Sequence, residues 1–171
     1  MICAFNNKHP NIHDSVFIAK SAQVIGQVSI GKSSSVWFNS VVRGDVNYIE
    51  IGQRTNIQDN SVLHVTKNTY PLVIGNNVTI GHRVVVHGCS IEDNTLIGIG
   101  SVLLDGSVVN SNSIVAAGSL VPPGFNIPSG VLAVGSPVKI KRDLNEQELT
   151  LIDKLSNNYV EYSLQYLSQD F

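Results

Sequence analysis

One aliphatic residue recurs every six positions along most of this chain. A period of six fits neither the 3.6-residue turn of an α-helix nor the two-residue alternation of an ordinary strand, and short repeats of this kind are typical of a parallel β-helix. Three repeat positions complete one triangular coil, so the eighteen between residues 12 and 121 predict about six stacked coils with these side chains pointing inward. The repeat positions are Ile12, Ile18, Val24, Ile30, Val36, Val42, Ile51, Ile57, Leu63, Ile74, Ile80, Val86, Ile91, Ile97, Leu103, Val109, Val115 and Val121.

The six-residue spacing is broken three times, and residues suited to chemistry lie at each break. The spacing is nine residues after Val42, eleven after Leu63 and five after Val86. The first break holds the sequence Arg-Gly-Asp-Val-Asn, and the second and third each open with a histidine, His64 and His87. The regular repeat therefore predicts the fold, and its interruptions indicate where a functional site lies.

The pattern changes in the last third of the chain. Prolines predict the end of the ladder near residue 121, because a proline has no N–H to donate to it; they stand at positions 122, 123, 128 and 137. Asn145 and Glu148 form the pattern of a helix capping box. After them, apolar residues recur at steps of three and four, as in an amphipathic helix: Ile152, Leu155, Tyr159, Tyr162 and Tyr166. We expect an all-β domain over residues 1–143 and a helix over residues 144–171 that packs on it.

Composition excludes several classes of function. The net charge is −2 and the chain has no cluster of basic residues, which argues against nucleic-acid binding. No apolar run approaches the ~20 residues that cross a membrane, and the first residues lack the apolar core of a signal peptide. Two cysteines, Cys3 and Cys89, are too few for a disulfide framework. We expect a cytoplasmic protein that acts on a small molecule.

Counting along the repeat places the histidines on the sides of the triangular prism. His64 and His87 each follow a third-side position directly, so both should project outward from that side in adjacent coils, where two imidazoles can converge on one zinc ion. His82 follows Ile80 by two and lies on the second side, with Gln58 one coil earlier. Within one chain His82 points in a different direction from the pair. Around a threefold axis it can reach the pair of a neighbour, which predicts a metal held between two subunits.

Each of these residues has a simpler interpretation. A single histidine is more often a surface or hydrogen-bonded residue than a ligand, and His9 and His13 in the polar lead-in are expected to be exposed. Cys89 is a possible fourth ligand, although a buried apolar role is more common for such a residue. The segment from Arg43 to Asp45 can form a local ion pair or bridge subunits, and Asp59 can be a plain corner residue.

Three motifs resemble the γ-class carbonic anhydrases: VVRGDV at 41–46, TNIQDNSVLH at 55–64 and TIGHRVVVHGC at 79–89. The resemblance implies a left-handed parallel β-helix that assembles as a homotrimer with zinc at its interfaces. It also implies reversible hydration of carbon dioxide to bicarbonate by hydroxide generated at the metal. Carried over by position, the zinc ligands are His64, His82 and His87, and the supporting residues are Arg43, Asp45, Gln58, Asp59 and Tyr159.

The chain departs from this family at one point. No glutamate follows Asp45 or His64 at the places where the archaeal prototype carries its proton-shuttle residues, so we expect slow turnover. Two other functions stay open: a hexapeptide-repeat acyltransferase that uses acyl-CoA and one histidine as a general base, and a metal-stabilised scaffold subunit with weak catalysis.

Overall fold

The computed structural model describes residues 1–169, which form a stack of short parallel strands followed by one helix. The helix is α1 (Glu146–Leu167). The strands are β1 (Ile2–Cys3), β2 (Asn11–Ile12), β3 (Phe17–Ile18), β4 (Gln23–Ile30), β5 (Ser35–Val36), β6 (Val41–Ile51), β7 (Asn56–Ile57), β8 (Val62–His64), β9 (Leu72–Ile74), β10 (Thr79–Ile80), β11 (Val85–His87), β12 (Ser90–Ile91), β13 (Leu96–Ile97), β14 (Val102–Leu103), β15 (Val108–Val109), β16 (Ile114–Val115), β17 (Leu120–Val121), β18 (Asn126–Ile127), β19 (Val131–Val134) and β20 (Lys139–Asp143).

Each coil contributes one strand to each of three sides, which we number in the order the chain visits them. The second side forms its own sheet of eight strands, from β3 to β20, whereas β4 and β6 bend around a corner and join the first and third sides into one sheet. The third-side repeat positions pair in register from coil to coil, and all are fully buried: Val24, Val42, Leu63, Val86, Leu103 and Val121. The predicted β-helix with an aliphatic interior is therefore confirmed.

The ladder does not end at Val121, so the predicted end was wrong. Ile127 in β18 pairs with Val109 and Ala133 in β19 pairs with Val115, and both are fully buried. The stack therefore makes about seven turns. The prolines are tolerated because those at 122, 123 and 128 lie between strands, in the turns, where their missing N–H removes no ladder bond. The antiparallel strand β20 then covers the edge of the last coil.

The three breaks in the repeat change the corners and leave the ladder in register. In the first, the long strand β6 pairs with β8 through Val42 and with β9 through Ile51. The second forms a loop closed by an antiparallel bridge between Thr66 and Tyr70. The third is a short corner at Gly88, whose φ of +54° suits a residue without a side chain. Additional or missing residues therefore alter what lies outside the prism.

Helix α1 packs on the second side of its own chain, beside β3, β5, β7 and β10. Both halves of the predicted capping box are formed. Trp37 is the buried contact point, because the rings of Tyr159 and Tyr166 meet it edge-on with centroids 5.3 and 5.2 Å away. Tyr162 differs from the predicted apolar face: it is exposed and contacts Tyr159. Residues 170 and 171 of the predicted helical segment lie outside the described residues.

No helix within residues 1–169 is long and apolar enough to cross a bilayer.

Replacement of Ile127 by alanine tests the additional coil. Ile127 is fully buried, so Ile127→Ala should lower the free energy of unfolding by about 2–5 kcal/mol in urea titrations. Ile140→Ala is the matched control, because Ile140 is 40% exposed on β20 and its loss should cost only about 0.5 kcal/mol. Equal losses in the two variants would contradict a packed seventh coil.

Candidate metal centre

His64 and His87 lie one above the other on the third side. Their Cα atoms are direct partners in the pairing of β8 with β11. Their ring centroids are 5.1 Å apart, and His64 Nδ1 lies 3.1 Å from His87 Nε2. The stacking expected from the repeat therefore brings one nitrogen of each ring to within contact distance of the other.

A carboxylate faces the other nitrogen of each ring. Asp45 Oδ1 lies 2.9 Å from His64 Nε2, and Asp105 Oδ1 lies 2.6 Å from His87 Nδ1. Burial opposes the ionisation of Asp45, but hydrogen bonds from His64 and Arg43 outweigh it and hold the pKa of its carboxyl below its ordinary value. Burial is likewise outweighed at Asp105, where hydrogen bonds from Thr66 and His87 lower the pKa. Both side chains are therefore anions that can only accept.

These contacts determine which nitrogens carry hydrogen. Because an ionised carboxylate cannot donate, the ring nitrogen that faces it must be an N–H, and in a neutral imidazole the other nitrogen then presents a lone pair. When both rings are neutral, the lone pairs of His64 Nδ1 and His87 Nε2 therefore face each other across 3.1 Å. Two ligands of a tetrahedral zinc ion at 2.0–2.1 Å are separated by roughly 3.4 Å. The pair therefore fits a shared metal ion, and its facing lone pairs favour a cation between them.

His82 lies on the second side, as the repeat predicts, and is oriented in the same manner. Its Nδ1 is 2.9 Å from Asp59 Oδ2, which leaves Nε2 as the nitrogen with a lone pair. Within residues 1–169, no three His, Cys, Asp or Glu side chains are arranged to hold a metal ion. His82 of the same chain therefore does not join the pair.

A cavity of about 400 Å³ opens beside His82. Its polar lining includes Gln58 and Tyr159 as well as His82, and its apolar wall includes Leu96 and Ile99. Gln58 donates from Nε2 to Asn56 Oδ1 at 3.1 Å, which orients its amide. Burial, followed by the charge of Asp59, raises the pKa of Tyr159 to about 12. Its phenol therefore stays neutral near pH 7 and can form hydrogen bonds without giving up its proton.

The other residues with two interpretations lie outside the histidine pair. Arg43 Nη1 pairs with Asp45 Oδ2 of the same chain, which is the local alternative for this segment; a bridge between subunits stays a prediction. Cys89 is buried, and this burial raises its thiol pKa to about 12, so it fits the apolar role better than that of a ligand. His9 is exposed, and so is His13.

Two residues of this network were not predicted from the sequence. Asp105 follows the third-side position Leu103 by two, and so shares a side with His87 one coil earlier. Thr66 donates from Oγ1 to Asp105 Oδ2 at 2.7 Å. Asp105 could have been found from the repeat, because counting places its carboxylate on the same side as His87 and one coil away, within reach of the ring. Thr66 had none, since its position depends on the shape of the loop after His64.

The chain is similar to named carbonic anhydrases over most of its length. It is 48% identical over 166 residues to the carbonic anhydrase of Geobacillus kaustophilus, with 97% of this chain and 91% of that protein covered. It is 46% identical over 169 residues to the mitochondrial γ carbonic anhydrase 2 of Arabidopsis thaliana. That match covers 96% of this chain, and the chain spans only 61% of the Arabidopsis protein.

The repeat matches a known family model, and the fold matches a solved structure. The family model described as bacterial transferase hexapeptide (six repeats) matches residues 88–123. The crystal structure of a hexapeptide transferase family protein from Anaplasma phagocytophilum superposes with a TM-score of 0.93 at 40% identity, covering 97% of this chain and 98% of that one. With relatives this similar over nearly the whole of this chain, the chain belongs to the γ-class carbonic anhydrase-like family of hexapeptide-repeat proteins.

Proposed function

We propose that this chain forms a homotrimer whose subunits share a divalent metal ion and catalyse the reversible hydration of carbon dioxide to bicarbonate. His64 and His87 of one subunit and His82 of the next hold the metal, which is zinc or, alternatively, iron or cobalt. The observation that carries the proposal is the pair of ring nitrogens that face each other across 3.1 Å, each on a ring whose other nitrogen faces a carboxylate. The carbonic anhydrase of Geobacillus kaustophilus, which this chain resembles over 91% of its length, supports the reaction.

The residues around the proposed metal have separate roles. When bound, zinc lowers the pKa of a water ligand to about 7 and so supplies hydroxide at neutral pH. Asp45 orients His64 and Asp59 orients His82 through the contacts described above. Gln58 is oriented by Asn56 and lines the cavity beside His82, where its amide can position a water or the substrate. Tyr159 overhangs the same cavity as a neutral hydrogen-bonding group.

An apolar row on the third side supports the trimer. The residues just before the repeat positions point outward there and pair in register from coil to coil, ending with Leu120; we call them the third-side row: Val41, Val62, Val85, Val102 and Leu120. Val62 is 41% exposed, and on the second side Ile99 beside the His82 cavity is 54% exposed. Apolar surface on both sides of the proposed contact favours burial against another subunit.

The two other functions differ in what they require. An acyltransferase needs one histidine that acts as a general base and no metal. A carboxylate can orient a general base as well as a metal ligand, so the acidic partners suit both functions. The close approach of His64 Nδ1 and His87 Nε2 favours the metal, because a general base needs no second imidazole. A scaffold subunit would bind metal at the same residues without turnover. Metal binding therefore tests the first alternative, and catalysis by metal-loaded protein tests the second.

Mixing of two variants tests whether the site is shared. His82→Ala and the double variant His64→Ala/His87→Ala should each bind little zinc, against about one zinc per chain for the unaltered protein. When the two are refolded together, each mixed trimer contains one interface with all three ligands, so elemental analysis should recover about one zinc per mixed trimer. His13→Ala, which alters an exposed histidine, is the control and should keep full occupancy. Failure of mixing to restore zinc would confine the site to a single chain.

A charge in the third-side row should prevent assembly. Val62→Lys places an ammonium group in an apolar contact, and burying an unpaired charge there is unfavourable. Light scattering should then report monomers at concentrations where the unaltered chain is trimeric. Val73→Lys is the matched control, because Val73 faces outward on the first side, between Glu50 and Ser90. A Val62→Lys protein that stays trimeric on dilution would place the interface elsewhere.

Proton export should limit the rate of hydration. Asp45 is followed by Val46 and Asn47, neither of which can carry a proton as a shuttle glutamate would. Asn47 Nδ2 donates to the carbonyl oxygen of Thr66 at 3.0 Å, and the pKa of Tyr159 is about 12. Zinc-loaded protein should therefore hydrate carbon dioxide slowly in dilute buffer and several-fold faster as imidazole is added, measured by stopped flow. The His64→Ala/His87→Ala variant is the blank. A high rate independent of buffer would reveal an internal proton route, and no activity in any buffer would favour the scaffold.

A further inference from the structure

Asp105 connects three consecutive coils of the third side. One carboxylate oxygen lies 2.6 Å from His87 Nδ1, one coil before it, and the other accepts from Thr66 Oγ1 at 2.7 Å, two coils before it. Thr66 belongs to the loop of the second break, and this loop is held in turn by Asn47. The carboxylate is thus fixed at both oxygens, and it contacts His87 on the side opposite to His64.

The third break makes room for this arrangement. Gly88 follows His87 directly, and a Cβ atom at Gly88 would lie 2.3 Å from Asp105 Oδ1 and 2.8 Å from Tyr70 Cβ. Any other residue would therefore displace the carboxylate or the loop. The absent side chain at Gly88 and the loop that carries Thr66 come from separate breaks in the repeat, and both are needed to seat Asp105 against His87.

We infer that Asp105 is a positioning residue that keeps the Nε2 lone pair of His87 available for the metal. Without it, His87 can move its hydrogen to Nε2 and donate across the 3.1 Å to His64 Nδ1, whose own lone pair is maintained by Asp45. The two rings would then be hydrogen-bonded to each other, and a metal ion would have to break that bond before it could bind. Asp105, which is held by Thr66, prevents this hydrogen bond between the two rings. The inference rests on the proposed metal site.

Histidine nitrogen chemical shifts of the metal-free protein test this role directly. ¹⁵N-detected NMR should show His87 with hydrogen on Nδ1 in the unaltered chain and on Nε2 in Asp105→Ala. His64 should keep its hydrogen on Nε2 in both, which makes it an internal control. Asp105→Asn retains an oxygen that can accept from Nδ1, so it should restore the original form of His87.

Zinc affinity, measured by competition with a chelator, gives the second measurement. Asp105→Ala should bind zinc about 10–100-fold more weakly, the usual effect of removing a partner of a metal-ligating histidine. Asp105→Asn and Thr66→Val should each give a smaller loss. Asp93→Ala is the matched control, because Asp93 also follows a repeat position by two but contacts Asn76 on the first side, and its zinc affinity should be unchanged.

The outcomes separate the two proposals. Unchanged His87 shifts and zinc affinity in Asp105→Ala, with zinc bound normally by the unaltered chain, would overturn the role of Asp105. An unaltered chain that binds no zinc would overturn the metal site, and the metal-free NMR measurement would still decide what Asp105 does to His87. If Asp105→Ala does not fold, Asp105→Asn and Thr66→Val decide the question: wild-type zinc affinity in both would also overturn the inference.

Discussion

The in-register stacking of parallel strands on the third side is the constraint on which the rest of this site depends. Leu63 lies over Val86 in the interior, so the residues that follow them, His64 and His87, lie over each other outside. Coils stack at the ordinary strand spacing of about 4.8 Å, which is close enough for two rings to share one ion. A shift of either strand by one residue would turn a histidine inward and expose a core aliphatic residue. The core and the candidate ligands are therefore specified together.

Because the ladder tolerates no slip, variation is confined to the corners, and the candidate site is built from that variation. The first break supplies Asp45, the second supplies the loop with Thr66, and the third supplies the space at Gly88. Each changes the length of a corner while the strands on both sides of it stay paired. A strictly regular hexapeptide repeat would make a stable prism without Asp45, without the loop that carries Thr66 and without the space at Gly88 that admits Asp105.

The sequence was sufficient to predict features that follow from the period alone. The aliphatic interior, the stacked pair His64 and His87, and the separate position of His82 all depend only on counting. The end of the ladder was misjudged because the proline rule concerns residues that donate within strands, and these prolines lie in turns that need no donor. Asp105 was missed because Asp93 stands at the same offset from a repeat position on another side. Asp105 differs from Asp93 in lying on the third side, one coil from His87, where the loop that carries Thr66 and the gap at Gly88 seat it against the ring.

When a metal site is divided between subunits, each subunit must keep the lone pairs of its own ligands available before assembly. Before assembly, the half with His64 and His87 already contains two basic nitrogens 3.1 Å apart, and the simplest way to relieve their repulsion is a hydrogen bond between the rings. A partner that donates a hydrogen to an outer nitrogen would permit that bond. Ionised carboxylates only accept, so Asp45 and Asp105 hold the hydrogens on the outer nitrogens and keep the inner ones free for a cation. Asp59 does the same for His82 in the other half. The acidic partners therefore preserve in the single chain the lone pairs that only an assembled trimer can use together.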